Sequence, residues 1–109
     1  MCRALKVLCV AEDAASLAAL KRATVSAEWE LAPGATGEAD ALGQIDAERP
    51  HVLVVFGPYE RLVALAREGF PGMRIVTDRD LPGATAVATS LEDVRSLVLG
   101  LPRPGGPVR

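Results

Sequence analysis

Two cysteines, one histidine and four aromatic side chains are all that this 109-residue chain holds of the residues most often recruited to chemistry. Cys2 and Cys9 fall on one short segment, which excludes a disulfide scaffold, and Cys9 sits in an apolar run where it reads as a small buried hydrophobe. With His51 as the only histidine, neither a His/Cys metal set nor a Ser/His/Asp or Cys/His catalytic arrangement can be assembled. No apolar run reaches the roughly 20 residues of a membrane helix. The start, Met1-Cys2-Arg3-Ala4, shows no secretory segment with a cleavage site. A soluble cytoplasmic protein is expected, with no membrane partner. No Gly-Lys-Ser/Thr occurs, so a P-loop is excluded as well.

Half of the residues are apolar and 24% are charged, which is the composition of one folded domain rather than a disordered chain. The net charge is −2, and its distribution is uneven. Residues 28–49 carry Glu28, Glu30, Glu38, Asp40, Asp46 and Glu48 against Arg49 alone, a local charge of −5. No basic stripe follows from the remaining sequence, and the aromatics Trp29, Phe56, Tyr59 and Phe70 are scattered. Direct nucleic-acid binding is therefore not expected.

What the chain does have is alternation between strand and helix periods. Residues 5–11 (LKVLCVA) form a nearly continuous apolar run, the mark of a strand buried on both faces. Leu17, Leu20, Ala23 and Ala27 follow at helical spacing, with Asp13 placed as the cap. A weaker strand over residues 29–32 is broken by Pro33-Gly34, and Ala39, Ala41, Leu42 and Ile45 mark a second helix ending before Pro50. Residues 51–56 (HVLVVF) read as the central strand, closed by Gly57-Pro58. Leu62, Val63, Leu65 and Ala66 make a third helix that ends at Gly69. Residues 73–77 and 85–88 read as a fourth and a fifth strand. Thr89-x-x-Glu92 reads as a capping box for a last helix carrying Leu91, Val94, Leu97, Val98 and Leu101. The Pro/Gly-rich residues 102–109 cannot continue it, so the expected division is a domain over 1–101 and a tail or linker over 102–109.

Five apolar strands alternating with helices predict an α/β fold: a flavodoxin-like, doubly wound parallel sheet of order 2-1-3-4-5. One unit is short. Only seven residues separate Thr77 from Thr85, too few for a crossover helix. A loop is expected where the fourth helix belongs. The turn after the first strand, Ala11-Glu12-Asp13-Ala14, lacks glycine, so the dinucleotide fingerprint is missing too.

Gly37-Glu38-Ala39-Asp40-Ala41-Leu42, and then Glu48-Arg49-Pro50-His51 running into Val52-Leu53-Val54-Val55, resemble a stretch of the receiver domains of bacterial response regulators. Such CheY-like domains typically read G-E-E-A-L, a helix, then R-P-D and an apolar strand. The opening LKVLCVAED is similar to the receiver start, and the resemblance spans roughly residues 5–101. It implies an acidic pair for Mg²⁺ after the first strand, a phosphoacceptor aspartate ending the third, a hydroxyl ending the fourth and a lysine ending the fifth.

Carried onto this chain, Glu12 and Asp13 match the acidic pair and Thr77 the hydroxyl. Phe56 falls at the phosphoacceptor position, and Ser90 or Thr89 at the lysine. No aspartate lies between Asp46 and Asp78, and no lysine follows Lys21. Phosphoryl transfer needs a carboxylate nucleophile and a cation to hold the transferred charge. The resemblance is thus to a receiver that has lost its chemistry, a pseudo-receiver, with no cofactor or metal expected. Phe56 is expected to plug the former acidic pocket.

Two readings of function follow. The first is a non-catalytic signalling module that docks a protein partner or downstream effector, dimerising through the fourth strand, fifth strand and last helix with Val87, Leu97 and Leu99 at the interface. Loss of the fourth helix would bare Ile75, Val76, Ala86, Val87 and Ala88 on that side, unless residues 78–84, with Leu81-Pro82, fold over the gap. The second is a small-ligand sensor at the carboxyl ends of the strands, near Glu12, Phe56, Gly57 and Thr77. A pocket closed by Phe56 favours docking, and an open cleft favours sensing.

Overall fold

A computed structural model describes residues 5–26 and 29–100. Ala27, Leu101, Cys2 and the 102–109 tail lie outside them. The elements run β1 (Leu5–Val10), α1 (Ala14–Thr24), β2 (Trp29–Leu31), α2 (Glu38–Glu48), β3 (Val52–Val55), α3 (Glu60–Gly69), β4 (Arg74–Thr77), β5 (Ala86–Val87) and α4 (Leu91–Gly100). The strands form one parallel sheet of order β2-β1-β3-β4-β5. This is the flavodoxin-like order, and the helix between β4 and β5 is replaced by a loop.

Strand alternation sorts the core into two layers. Val7, Cys9, Val54 and Val76 point to one face, where α1 and α4 pack on the sheet and on each other with Leu20, Val94 and Val98. Leu8, Val10, Leu53, Val55 and Ile75 point to the other, under α2 and α3 with Ile45, Leu62, Val63 and Ala66. All of these are buried. β3 throughout, and β1 from Val7 on, are apolar because both of their faces are covered.

The first helix starts as expected: Asp13 caps α1 by accepting the Ser16 N–H at 2.7 Å. The last helix starts differently. Asp93, not Glu92, reaches back to Thr89, accepting both its N–H and its hydroxyl. The expected Thr89–Glu92 box is thus shifted by one residue, because the helix begins only at Leu91.

The fifth strand is two residues long rather than four, although the flanking Thr85 and Ala88 N–H groups still donate to the Ile75 and Thr77 carbonyls at 2.7 Å and the Thr85 hydroxyl accepts the Ile75 N–H at 3.1 Å. The loop between β4 and β5 corrects the expectation of a bare sheet. Leu81 drops into the layer under α3, packing with Leu62, Val63, Ala66 and Ile75, and is only 6% exposed. Val76 and Ala88 are buried on the opposite face, under α4. Only Val87, paired in register with Thr77 and so on the side without a helix, stays open, at 39%.

His51 is structural. Its Nδ1 accepts the Lys6 N–H at 2.9 Å, and its own N–H returns to the Lys6 carbonyl. Cys9 is buried, and burial pushes its thiol up to about 11, which leaves it inert.

Candidate functional site

A cavity of about 250 Å³ opens at the carboxyl ends of β1 and β3, walled by Glu12, Phe56, Gly57, Asp78 and Leu91 together with Ser16 and Ala19 of α1. Open α/β sheets place their ligands at this end. The chain turns here because β1 stops at Val10 and β3 at Val55, their registers locked by the Phe56 N–H to the Val10 carbonyl at 2.9 Å.

Gly57 then takes φ +134°, and a Cβ at that point would lie 2.9 Å from Glu12 Cγ and 3.0 Å from Tyr59 Cε2. Glycine is therefore required twice, for the backbone angle and for the approach of Glu12. Tyr59 holds the two loops together, its single hydroxyl proton shared between the Ala11 carbonyl at 3.1 Å and the Thr36 carbonyl at 3.2 Å. Burial, and then the charge of Glu12, raise its phenol above the ordinary value.

Of the residues expected here, the fold brings Glu12 and Phe56 together. Phe56 is half-buried and forms a wall of the cavity, so it does not plug it. Asp13 faces its own helix, where the Ser16 N–H holds its carboxyl below the usual range. Thr77 is fully buried, and its hydroxyl donates to the Arg79 carbonyl, not into the cavity. Ser90 is exposed just before α4, and the wall at that end is Leu91. Leu99 is exposed at 50%, whereas Leu97 is half-buried against the α1–α4 layer.

Asp78 and Arg79 are the site residues that the sequence reading missed. Asp78 Oδ1 accepts the Gly57 N–H at 3.2 Å, and both of its oxygens meet the Arg79 guanidinium at 3.0 Å. Burial pushes the Asp78 carboxyl up, but Arg79 and the Gly57 N–H outweigh it and hold the group below the usual carboxylate range. The signal was available, because charged residues directly after a parallel strand stand at the ligand-binding end of the sheet.

The residues present do not fit the Mg²⁺ that the resemblance implies. Asp13 is spent on a helix cap, the third-strand position is a phenyl ring, and Asp78 is already paired. Among the described residues, no group of three or more His, Cys, Asp or Glu side chains could hold a metal ion. No helix of the described residues is long and apolar enough to cross a membrane.

The fold is that of response-regulator receiver domains of the CheY-like class. A receiver domain from Methanospirillum hungatei superposes with a TM-score of 0.72 at 20% identity, covering 89% of this chain and 92% of that one. The signal receiver domain of an HD domain-containing protein from Pseudomonas fluorescens gives 0.73 at 18% identity, with 89% and 90% covered. The RcsB response regulator of Salmonella typhimurium, from a structure concerned with its DNA interaction, gives 0.70 at 13% identity, with 87% of this chain and 60% of that one covered. No protein-family model and no curated protein matches the sequence.

A second cavity, of about 380 Å³, lies at the opposite, amino end of the strands between Ile45, Arg49, His51, Phe70 and Met73. Arg49, the left-handed cap of α2 at φ 49°, sits with its guanidinium carbon 5.4 Å from the Phe70 ring centre there. This cavity is larger but is far from the turns that follow the strands.

Proposed function

We propose that the chain is a non-catalytic, phosphorylation-independent pseudo-receiver that works in signal transduction by docking a protein partner or effector domain and by self-association. The observation that carries this reading is Phe56. It stands directly after β3 on the cavity wall, where a receiver's phosphoacceptor carboxylate would be, and no lysine follows Lys21. Val87 and Leu99, both exposed, supply apolar surface for docking. On this reading the domain extends over 1–101, residues 102–109 lead to a partner or to further chain, and the protein works in the cytoplasm without a cofactor. The test is incubation with acetyl phosphate and Mg²⁺, followed by intact mass and amide spectra. An unchanged mass is expected, and a phosphoryl adduct would overturn the reading.

A second reading, a small-ligand sensor, is favoured by one observation: Phe56 lines the cavity and leaves it open. At about 250 Å³ the space is below the ~300 Å³ at which small-molecule sites begin, so docking is placed first. Saturable metabolite-induced shifts at Glu12, Phe56 and Gly57 would reverse that order.

A further inference from the structure

Arg79 brings a cation to the edge of the carboxyl-end cavity by pairing with Asp78, one of its walls. It is the second residue after β4, and it meets Asp78 through both carboxylate oxygens, Nε to Oδ1 and Nη2 to Oδ2. This bidentate geometry is the most specific that a guanidinium makes with a carboxylate. Asp78 Oδ1 also accepts the Gly57 N–H, so the pair is tied to the turn between β3 and α3 and does not swing as an isolated surface pair would. The backbone beneath is fixed as well: the Arg79 carbonyl accepts the buried Thr77 hydroxyl, and Leu81, two residues on, is packed under α3. Glu12, the other carboxylate on the cavity wall, adds to the field that keeps Arg79 protonated, after the larger effect of Asp78.

We propose that Arg79 is a tethered counter-ion that neutralises the Asp78 carboxylate from the shortened β4–β5 loop and thereby closes the cavity to divalent cations. The proposal rests on the phosphorylation-independent reading and deepens it: a site that carries its own cation stays in one charge state whatever the metal concentration. A divalent ion would have to displace the guanidinium or sit beside it, and like charges at such range repel. The pair is partly open to water, with side-chain exposures of 48% for Arg79 and 22% for Asp78, so screening makes this a moderate barrier.

The probe is Mn²⁺, read as paramagnetic broadening of amide resonances in the full chain. Wild type is expected to show no saturable broadening at Glu12, Gly57 and Asp78 through the millimolar range. Arg79→Gln should bind Mn²⁺ there at least about tenfold more tightly, and Arg79→Ala gives a second reading of the same lost charge. Arg79→Lys, which keeps the charge and loses the two-bond fork, should fall between wild type and Arg79→Gln, and adding Asp78→Asn to Arg79→Gln should abolish the gain. Wild-type binding as tight as that of the Gln variant, or no gain in either neutral variant, would overturn the proposal. Mn²⁺ binding by wild type would end the counter-ion role yet leave the pseudo-receiver reading standing on Phe56. Phosphoryl uptake from acetyl phosphate would strike that reading first.

Discussion

Gln44 and Gly34 exchange two hydrogen bonds across the loop that leads from β2 into α2. The Gly34 N–H donates to Gln44 Oε1 at 3.1 Å, and Gln44 Nε2 donates to the Gly34 carbonyl at 2.6 Å. A side-chain amide thus does for this loop what a neighbouring strand does for a ladder, satisfying both backbone groups of one residue. The residue has to be glycine, since φ is +93° and a Cβ would meet Leu17 Cδ1 at 3.0 Å and the Cys9 carbonyl at 3.2 Å.

Gln44→Ala removes both bonds and leaves the Gly34 groups to water. Each such bond contributes about 1 kcal/mol net, so a loss of about 1–3 kcal/mol is expected. Urea denaturation should show a lower midpoint with an unchanged slope. A wild-type midpoint would mean that the pair does not persist in solution.

Leu81 replaces an entire helix as the cover of Ile75. Leu81→Ala should therefore cost about 2–4 kcal/mol, as a large-to-small change in a packed layer, although the residue lies in a loop. Thermal or urea denaturation reads it directly. A cost below about 0.5 kcal/mol, the size typical of surface changes, would show that the loop lifts away.

The sheet order and the two helical layers were legible because apolar runs and helical spacing are properties of the segments themselves. Residues 5–11 and 51–56 have few charges to offer solvent, so they belong inside a parallel sheet wherever the rest of the chain goes. The site was less legible because its residues are placed by turns. Asp13 and Glu12 are neighbours in sequence, yet one faces a helix N-terminus and the other the cavity. Thr77 and Asp78 divide in the opposite sense to the expectation, the hydroxyl turned to its own loop and the carboxylate to Gly57. Phe56 stands half-open beside the turn where Gly57 takes φ +134°, and no periodicity in HVLVVF encodes that setting.

Acid should weaken the fold through three aspartates. Asp13 is held low by the Ser16 N–H, and Asp93 by the Thr89 hydroxyl and N–H. Asp78 is held low by Arg79 and the Gly57 N–H in spite of its burial. Each folded value lies below the unfolded reference of 3.8. The stability they contribute is thus fully present above that reference and is lost as pH falls through the folded values. Melting temperatures taken from about pH 5 down to about pH 2.5 should fall with acid. Asp78→Asn should flatten part of that slope while lowering stability at neutral pH. A slope identical to wild type would mean that Asp78 titrates at its ordinary value.

Self-association is expected at the β5 edge and the outer side of α4. Leu81 closes the gap over Ile75, so the driving surface is smaller than a wholly uncovered sheet would offer, and it falls to Val87 and Leu99. Val87 faces the side from which a helix is missing, on a strand that is the edge of the sheet among the described residues. Leu99 stands outward because Val94 and Val98 already fill the stripe of α4 that meets the sheet. Sedimentation equilibrium at tens of micromolar should find a dimer. A glutamate at either position would bring a charge into the contact, and Leu99→Glu or Val87→Glu should weaken it at least about tenfold. Val25 is the control, since it is 54% exposed but leads from α1 to β2 at the other edge of the sheet. Val25→Glu should leave the dimer intact. A wild-type monomer, or a dimer that responds to Val25→Glu and not to Leu99→Glu, would place the contact elsewhere.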